Sequence, residues 1–363
     1  MDFIQLDENG NPIEYEDVYS DSSKMPGNNK VPQEDDERQN NEDKKSKKKR
    51  KKKKSGLRLI KHLVLICVAL ALVSALVTGI SVATSGYTHK NIESNKYVSF
   101  TDKTTSPLVS NILLIGADGE DGGSQRSDTM MLVSIDYAHG TIKLTSFLRD
   151  CWVYIPNKDK YAKLNAAYSY GGAQYVNDTI EYNFGIDIDH YVKVDFEMFT
   201  EIIDKIGGID IEVTESEAAF INKTTRYTVE SGENVHLDGA KALVYCRIRK
   251  LDSDYMRTYR QRKVINAIIN KAKKSGMSTI IYAAKEVLPM LETDLNAFEM
   301  TLITYTGGFA ALTFETDELR IPSDDMMTTG YKGDQWVEIP DLDKCKEALK
   351  EFIYPTNIMP QGE

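Results

Sequence analysis

Five arginines fall within sixteen positions of the stretch YCRIRKLDSDYMRTYRQRK (245–263): Arg247, Arg249, Arg257, Arg260 and Arg262. Only Asp252 and Asp254 lie between them as acids, in a chain whose formal net charge is −10. A solvated helix face is the plain reading of such a run. The neighbouring residues point elsewhere. On a helix opening near Tyr255, Arg257 and Gln261 stand at i and i+4 on one face, and Val264, Ile265 and Ile268 continue close to it toward a core. Arg247 and Arg249 close a segment, ALVYCRIR, whose apolar residues also need burial. A guanidinium at the buried edge of a fold is costly unless it meets an anion. Two carboxylates leave several planar forks over, and a phosphate or pyrophosphate suits them.

A second charged set lies upstream. Asp118 ends the apolar run NILLIGAD, Arg126 and Asp128 open QRSDTMML, and Arg149 follows TIKLTSFL. Each of these runs has strand length, and side chains at strand ends can converge at one edge of a sheet. Asp118 and Asp128 beside phosphate-binding arginines would offer Mg²⁺ hard oxygen ligands shared with phosphate. Singly, each aspartate is equally a turn or helix-capping residue.

Apolar periodicity predicts strands over 111–118, 129–136, 141–148, 190–196, 209–214 and 318–323. Helices are predicted over 198–207, 238–247, 255–274, 278–291 and 296–309, with a further one over 165–184 interrupted by Gly171 and Gly172. Strands interleaved with helices imply a three-layer α/β domain.

Ahead of that domain the composition changes. Residues 1–62 hold 15 Lys and Arg against 13 Asp and Glu and few apolar residues, which predicts a disordered cytoplasmic tail. From Leu63 to Tyr87 no residue is charged, a run long enough to span a hydrocarbon core, so 63–87 is read as a retained transmembrane helix. The lysine run KKSKKKRKKKKS directly before it fixes the N-terminus inside, placing everything from about 88 onward outside the cell. Beside a membrane helix such a run touches anionic lipid rather than nucleic acid. Residues 88–107 read as a polar linker and 108–355 as the extracellular domain. Outside the membrane remain Cys151, Cys246 and Cys345, an odd number with no CxxC spacing, so neither a disulfide framework nor a zinc site is indicated.

The motifs RSDTMML, LRD, KLNAAYSYGG, IDHYVKVDF, IIDKIGGIDIEV, LDGAKALVYCRIRK and RTYRQRKVI follow one another in that order. Together, over residues 108–355, they resemble the extracellular domain of the LytR-CpsA-Psr family of cell-envelope phosphotransferases. The resemblance implies an α/β/α sandwich with a central mixed sheet, behind one transmembrane helix, enclosing a tunnel for a polyprenyl chain. It implies transfer of an anionic glycopolymer, teichoic acid or capsule-like polysaccharide, from an undecaprenyl-pyrophosphate carrier to peptidoglycan through a phosphodiester. Membrane lipid is then the third partner and Mg²⁺ the cofactor, with Asp118 and Asp128 as its ligands. Arg126, Arg149, Arg247, Arg249, Arg257 and Gln261 would bind the pyrophosphate, with Lys163 of KLNAAY beside them. Arg126, Asp128 and Arg149 would carry the catalytic roles. The family usually has proline before the Arg-Asp pair, where this chain has Leu148. With water as nucleophile the same site would be a pyrophosphatase. A non-catalytic envelope regulator is the reading from a different class.

Overall fold

The computed structural model describes residues 79, 87–117, 126–249, 251 and 253–355. The cytoplasmic tail, Asp118, Asp252 and the expected membrane span, apart from Gly79 and Tyr87, lie outside the described residues. No helix among the described residues is long and apolar enough to cross a membrane.

Seven strands form the central sheet: β1 (Thr88–His89), β2 (Val109–Ala117), β3 (Ser127–Asp136), β4 (Thr141–Phe147), β7 (His190–Val194), β10 (Glu292–Thr293) and β11 (Glu315–Ile321). Their order is β1-β10-β7-β2-β3-β4-β11. β2 runs parallel to β7 and antiparallel to β3, and β4 runs antiparallel to β3 and parallel to β11, so the sheet is mixed. Three two-stranded sheets stand apart from it: β5 (Trp152–Ile155) with β6 (Lys160–Lys163), β8 (Ile209–Val213) with β9 (Gly232–Leu237), and β12 (Met327–Lys332) with β13 (Gln335–Pro340). The helices are α1 (Ala166–Phe184), α2 (Phe196–Lys205), α3 (Glu215–Thr224), α4 (Gly239–Cys246), α5 (Asp254–Ser275), α6 (Met277–Val287), α7 (Ala297–Thr313) and α8 (Leu342–Ile353).

The middle strands are apolar on both faces because both faces are covered. Leu113, Ile115, Met130, Leu132 and Phe147 pack with Val176 and Ile180 of α1 and with Leu349 and Ile353 of α8. From the other face, Met131, Ile135, Ile142 and Leu144 pack with Ile265 and Ile269 of α5 and Ala310 of α7. Helix, sheet and helix therefore make three layers, as the interleaved pattern predicts. Gly171 and Gly172 break the helical backbone inside α1, where the sequence places an interruption.

Residues 88–107 do not hang free as a linker. Thr88 and His89 pair with Glu292 and Thr293 as an edge strand, Thr104 bridges to Ile186, and Lys103 forms ion pairs with Glu181 and Asp187. Their polarity, which reads as a linker, has its partners in the domain. The expected elements are otherwise present with ends shifted by a few residues. The β5–β6 and β12–β13 hairpins, β1, β9, β10 and α3 lie outside the expected set, being short or too polar to show a clear period, and so does α8, although Leu342, Cys345, Leu349 and Ile353 carry a helical period.

α2 and α4 lie unusually close. A Cβ built on Gly239 would sit 2.0 Å from the Thr200 carbonyl oxygen, and the Gly239 amide donates to Asp204 Oδ1 at 2.7 Å. Backbone cannot yield there as a flexible side chain would. Gly239→Ala should cost about 1–3 kcal/mol as an overpacking change, read as a lowered urea midpoint with an unchanged slope. An unaltered midpoint would show that the two helices are free to separate.

Candidate anion site at the mouth of an apolar cavity

The sheet topology brings the charged residues to one edge. β2, β7 and β4 point the same way, so the ends of all three meet the beginning of antiparallel β3. β7 leads into Asp195, which caps α2 by accepting from the Met198 amide at 2.8 Å. β4 leads through buried Leu148 into Arg149. In the β2–β3 ladder Gly116 pairs with Thr129 and Ala117 with Ser127, leaving Asp128 as the extra residue of a β-bulge. A bulge re-aims the side chain it carries, and here that side chain meets Arg149.

Below this edge lies a cavity of about 320 Å³. Its walls come from the sheet (Leu114, Met131), from α2 (Phe199, Ile202), from α4 (Leu243) and from α5 (Val264, Ile268). Its mouth carries Asp128, Arg149, Arg247, Arg249, Arg257 and Gln261. One end is therefore cationic and the rest apolar.

Asp254, the first residue of α5, organises the mouth. Its Oδ1 lies 3.3 Å from Arg249 Nε and 3.6 Å from Arg149 Nε, and its Oδ2 lies 3.0 Å from Arg257 Nη2. Arg257 also donates to the Asp128 carbonyl at 3.1 Å, and Arg149 donates to the Asp128 carboxylate. The Arg247 guanidinium stacks 4.3 Å from the centre of the Phe196 ring, a cation–π contact that needs no anion. Asp150 divides its carboxylate between Lys163 at 2.7 Å and Arg149 at 3.6 Å. Four arginines and Lys163 thus face Asp128, Asp150 and Asp254, and two positive charges remain over among these residues.

Part of this charge is held where it is expensive. Arg257 is 4% exposed and Arg149 8%. The Nε atoms of both are buried without a hydrogen bond. Burial pulls the Arg257 guanidinium below its ordinary value; Asp254 opposes this and Arg149 adds to it. An anion in the mouth would meet the open donors and lift that penalty together.

Residues 75–351 match the LytR_cpsA_psr family. The chain belongs to the LytR_cpsA_psr family. It is 32% identical over 270 residues to the polyisoprenyl-teichoic acid–peptidoglycan teichoic acid transferase TagV of Bacillus subtilis, covering 71% of this chain and 67% of that one. Against the transferase of the same description, TagU, of Enterococcus faecalis, identity is 30% over 276 residues, with 73% and 86% covered. The fold is shared with a solved structure of the LytR-CPS2A-psr family protein YwtF (TagT) with bound octaprenyl pyrophosphate lipid, at a TM-score of 0.56 and 21% identity, over 73% of this chain and 99% of that one.

Within this LytR_cpsA_psr domain, six of the residues singled out in the sequence line one cavity: Asp128, Arg149, Arg247, Arg249, Arg257 and Gln261. Arg126 is exposed at the entry to β3 and is not among the lining residues. Lys163 is likewise outside the lining and reaches the mouth only through Asp150. Asp118 follows β2 directly but lies outside the described residues.

The arginine cluster divides. Arg260 donates to Glu217 at 2.7 Å and to the Ile248 carbonyl at 3.2 Å; Arg262 donates to Glu318 at 2.7 Å and to Ser146 Oγ at 2.9 Å. These two pin α5 to α3 and to the sheet. His190 and His236 pair with Asp294 and Asp210, and neither lines the cavity. The three cysteines are free and buried.

The sequence reading did not include Asp150, Phe196 or Glu338 at this site. Glu338 on β13 is joined to it through its amide, which donates to the Asp150 carbonyl at 3.1 Å. Its Oε2 is buried without a hydrogen-bond partner. Burial, with Asp150 and Asp254 adding to it, pushes the Glu338 carboxyl up to about 7 from an ordinary 4.5. A value raised on folding means that the group's contribution to stability is complete below pH 4.5 and is lost as pH rises through 7. Glu338→Gln should therefore melt higher than wild type at pH 8, with the gap closing toward pH 5. Thermal melts at the two pH values measure this, and a gap independent of pH would show that the carboxyl is not held protonated.

Proposed function

We propose that this chain transfers an anionic glycopolymer of the teichoic acid type from a polyprenyl-pyrophosphate carrier to peptidoglycan. The observation that carries the reading is the union of a cationic mouth, in which the Arg149 and Arg257 Nε donors are buried and open, with an apolar cavity directly beneath it. A ligand that satisfies both must join a diphosphate to a long hydrocarbon. A nucleotide would leave the cavity walls facing water, and a fatty acid, with its single negative charge, would leave one positive charge over. The names of the TagV and TagU relatives support the same choice.

The residues act by position and charge. Arg149, Arg249 and Arg257 hold the diphosphate oxygens and, being fixed before substrate arrives, stabilise charge as it builds on them. Arg247, stacked on Phe196, closes the cradle where the hydrocarbon enters. A hydroxyl of the wall sugar attacks the phosphorus nearest the glycan, the bond to the bridging oxygen breaks, and polyprenyl phosphate leaves. The product keeps the glycan in a phosphodiester. We assign the chain to the cell membrane, anchored by 63–87 with its domain outside.

Mg²⁺ belongs to the same proposal. Asp128 presents a hard carboxylate at the rim whose side chain is 39% exposed, and a magnesium ion needs only one or two carboxylates when phosphates supply the rest. Asp128, with Asp118, would hold Mg²⁺, which would neutralise charge on the phosphate oxygens.

Two measurements test the reading. Arg257→Ala should slow transfer to a peptidoglycan oligomer by about 10² to 10³ with its melt preserved, by analogy with loss of one preorganised donor. Arg257→Lys should rescue only in part, since an ammonium cannot make the bidentate contact. A wild-type rate in folded Arg257→Ala would place the diphosphate elsewhere, and release unaffected by added peptidoglycan would make the enzyme a pyrophosphatase. Separately, calorimetric titration of Mg²⁺ onto the protein carrying lipid pyrophosphate should show affinity lowered at least about tenfold by Asp128→Asn. Equal affinities would remove Asp128 from the metal site.

A further inference from the structure

The mouth of the cavity has an outer border that the donor does not use. In the β12–β13 hairpin Tyr331 pairs with Trp336 and Thr329 with Glu338. Directly opposed residues share a face, and residues two apart on a strand share it as well. Tyr331, Trp336, Thr329 and Glu338 therefore lie on one face of the hairpin. Val337 points the other way and is fully buried, which fixes the hairpin on the domain.

The inner end of this face is joined to the site. Glu338 bridges to Cys151 and donates its amide to Asp150, the neighbour of Arg149. Its carboxyl lies in the field of Asp150, Asp254, Arg320 and Lys163. From there the face runs outward, and Trp336 stands two residues, about 7 Å, further along the strand. Trp336 is 50% exposed and Tyr331 69%, with their rings edge to face at 5.2 Å between centroids. Thr329 on the same face and Asp334 in the adjoining turn are exposed polar residues beside them.

An aromatic pair flanked by a hydroxyl and by carboxyl groups is too small and too polar in its surroundings for a lipid surface or a stable protein interface. It suits a sugar ring, which offers a C–H face to an indole and hydroxyls to its neighbours. Tyr and Trp combine an apolar face with a polar tip for such a task.

We propose that this face of the β12–β13 hairpin is the acceptor subsite, where Trp336 and Tyr331 hold one sugar of a peptidoglycan glycan strand so that a neighbouring sugar's hydroxyl reaches the diphosphate. The proposal rests on the transferase reading and deepens it. It places acceptor and donor on opposite sides of Arg149, Asp150 and Asp254, so that the two substrates approach the same phosphorus from different directions.

The chain has two tryptophans, so a Trp152→Phe background leaves Trp336 as the sole indole reporter. The full-length protein in detergent is titrated with muramidase-released peptidoglycan fragments and, separately, with anionic phospholipid vesicles. Trp336 emission should shift saturably with the glycan and not with vesicles. In transfer assays Trp336→Ala should raise the acceptor KM by about tenfold to a hundredfold, the range that stacking on an aromatic side chain supports, while affinity for lipid pyrophosphate is unchanged. Trp336→Phe should retain most of the effect. Saturable glycan binding in a protein that shows no transfer would uphold the subsite and sink the transferase reading. Normal transfer with an unchanged acceptor KM in folded Trp336→Ala, or emission that answers only to vesicles, would overturn the subsite.

Discussion

The structure turns on an imbalance of charge that the protein does not correct itself. Asp254 touches three guanidinium groups and Asp128 accepts from two of them, yet the Arg149 and Arg257 Nε atoms stay buried without a hydrogen bond. A fold built only for stability would place an apolar residue or another carboxylate there, because uncompensated buried charge destabilises. Retaining the surplus makes sense when a ligand completes it. The remaining architecture follows from holding that surplus still: β2, β4 and β7 aim their ends at one edge, the bulge turns Asp128 toward Arg149, and α5 starts with Asp254 in the midst of the cluster.

The stretch that carries most of these arginines shows how one helix serves two ends. Arg257 and Gln261 are i and i+4 and face the cavity. Arg260 and Arg262 fall on other sides of α5, where Glu217 and Glu318 meet them. Burial alone would raise the Glu217 carboxyl; the Thr214 amide and Arg260 hold it below the usual carboxylate range. That pair fixes the rotation of α5 about its own axis, and thereby the direction in which Arg257 points. Arg260 and Arg262 are spent on position so that Arg257 can be spared for substrate.

Much of this was legible in the sequence. Periodicity placed α5 to within a residue at each end, and the i, i+4 spacing put Arg257 with Gln261 on the face that meets the cavity. Apolar runs marked β2, β3 and β4 and therefore the edge at which Asp128 and Arg149 converge. What stayed hidden depends on tertiary pairing. Nothing local distinguishes Lys163, which meets Asp150 off the cavity, from a lysine inside the mouth, nor Arg260 from Arg257. Leu243, Val264 and Ile268 read as core because a helix face that lines a cavity has the same composition as one that fills it. The β12–β13 hairpin escaped because its strands carry Thr, Lys, Gln and Glu, and its importance comes from a contact with Asp150 nearly two hundred residues away in the chain.

The same geometry sets what the site can select. Charge at the mouth is exposed enough on Arg249 to attract many phosphates, but attraction is not discrimination. A short phosphate ligand would pair the guanidinium groups and gain nothing from Phe199, Ile202, Leu243 or Ile268. A hydrocarbon without phosphate would fill the cavity while leaving the buried Arg149 and Arg257 Nε donors unmet above it. Only a ligand carrying both parts meets both, and on the proposed reading its diphosphate lies against the guanidinium groups around Asp254 with its chain beneath the sheet edge. Selection and orientation are thus one event, and the phosphorus to be attacked is left facing outward, past Arg149, toward whatever the hairpin side of the mouth presents.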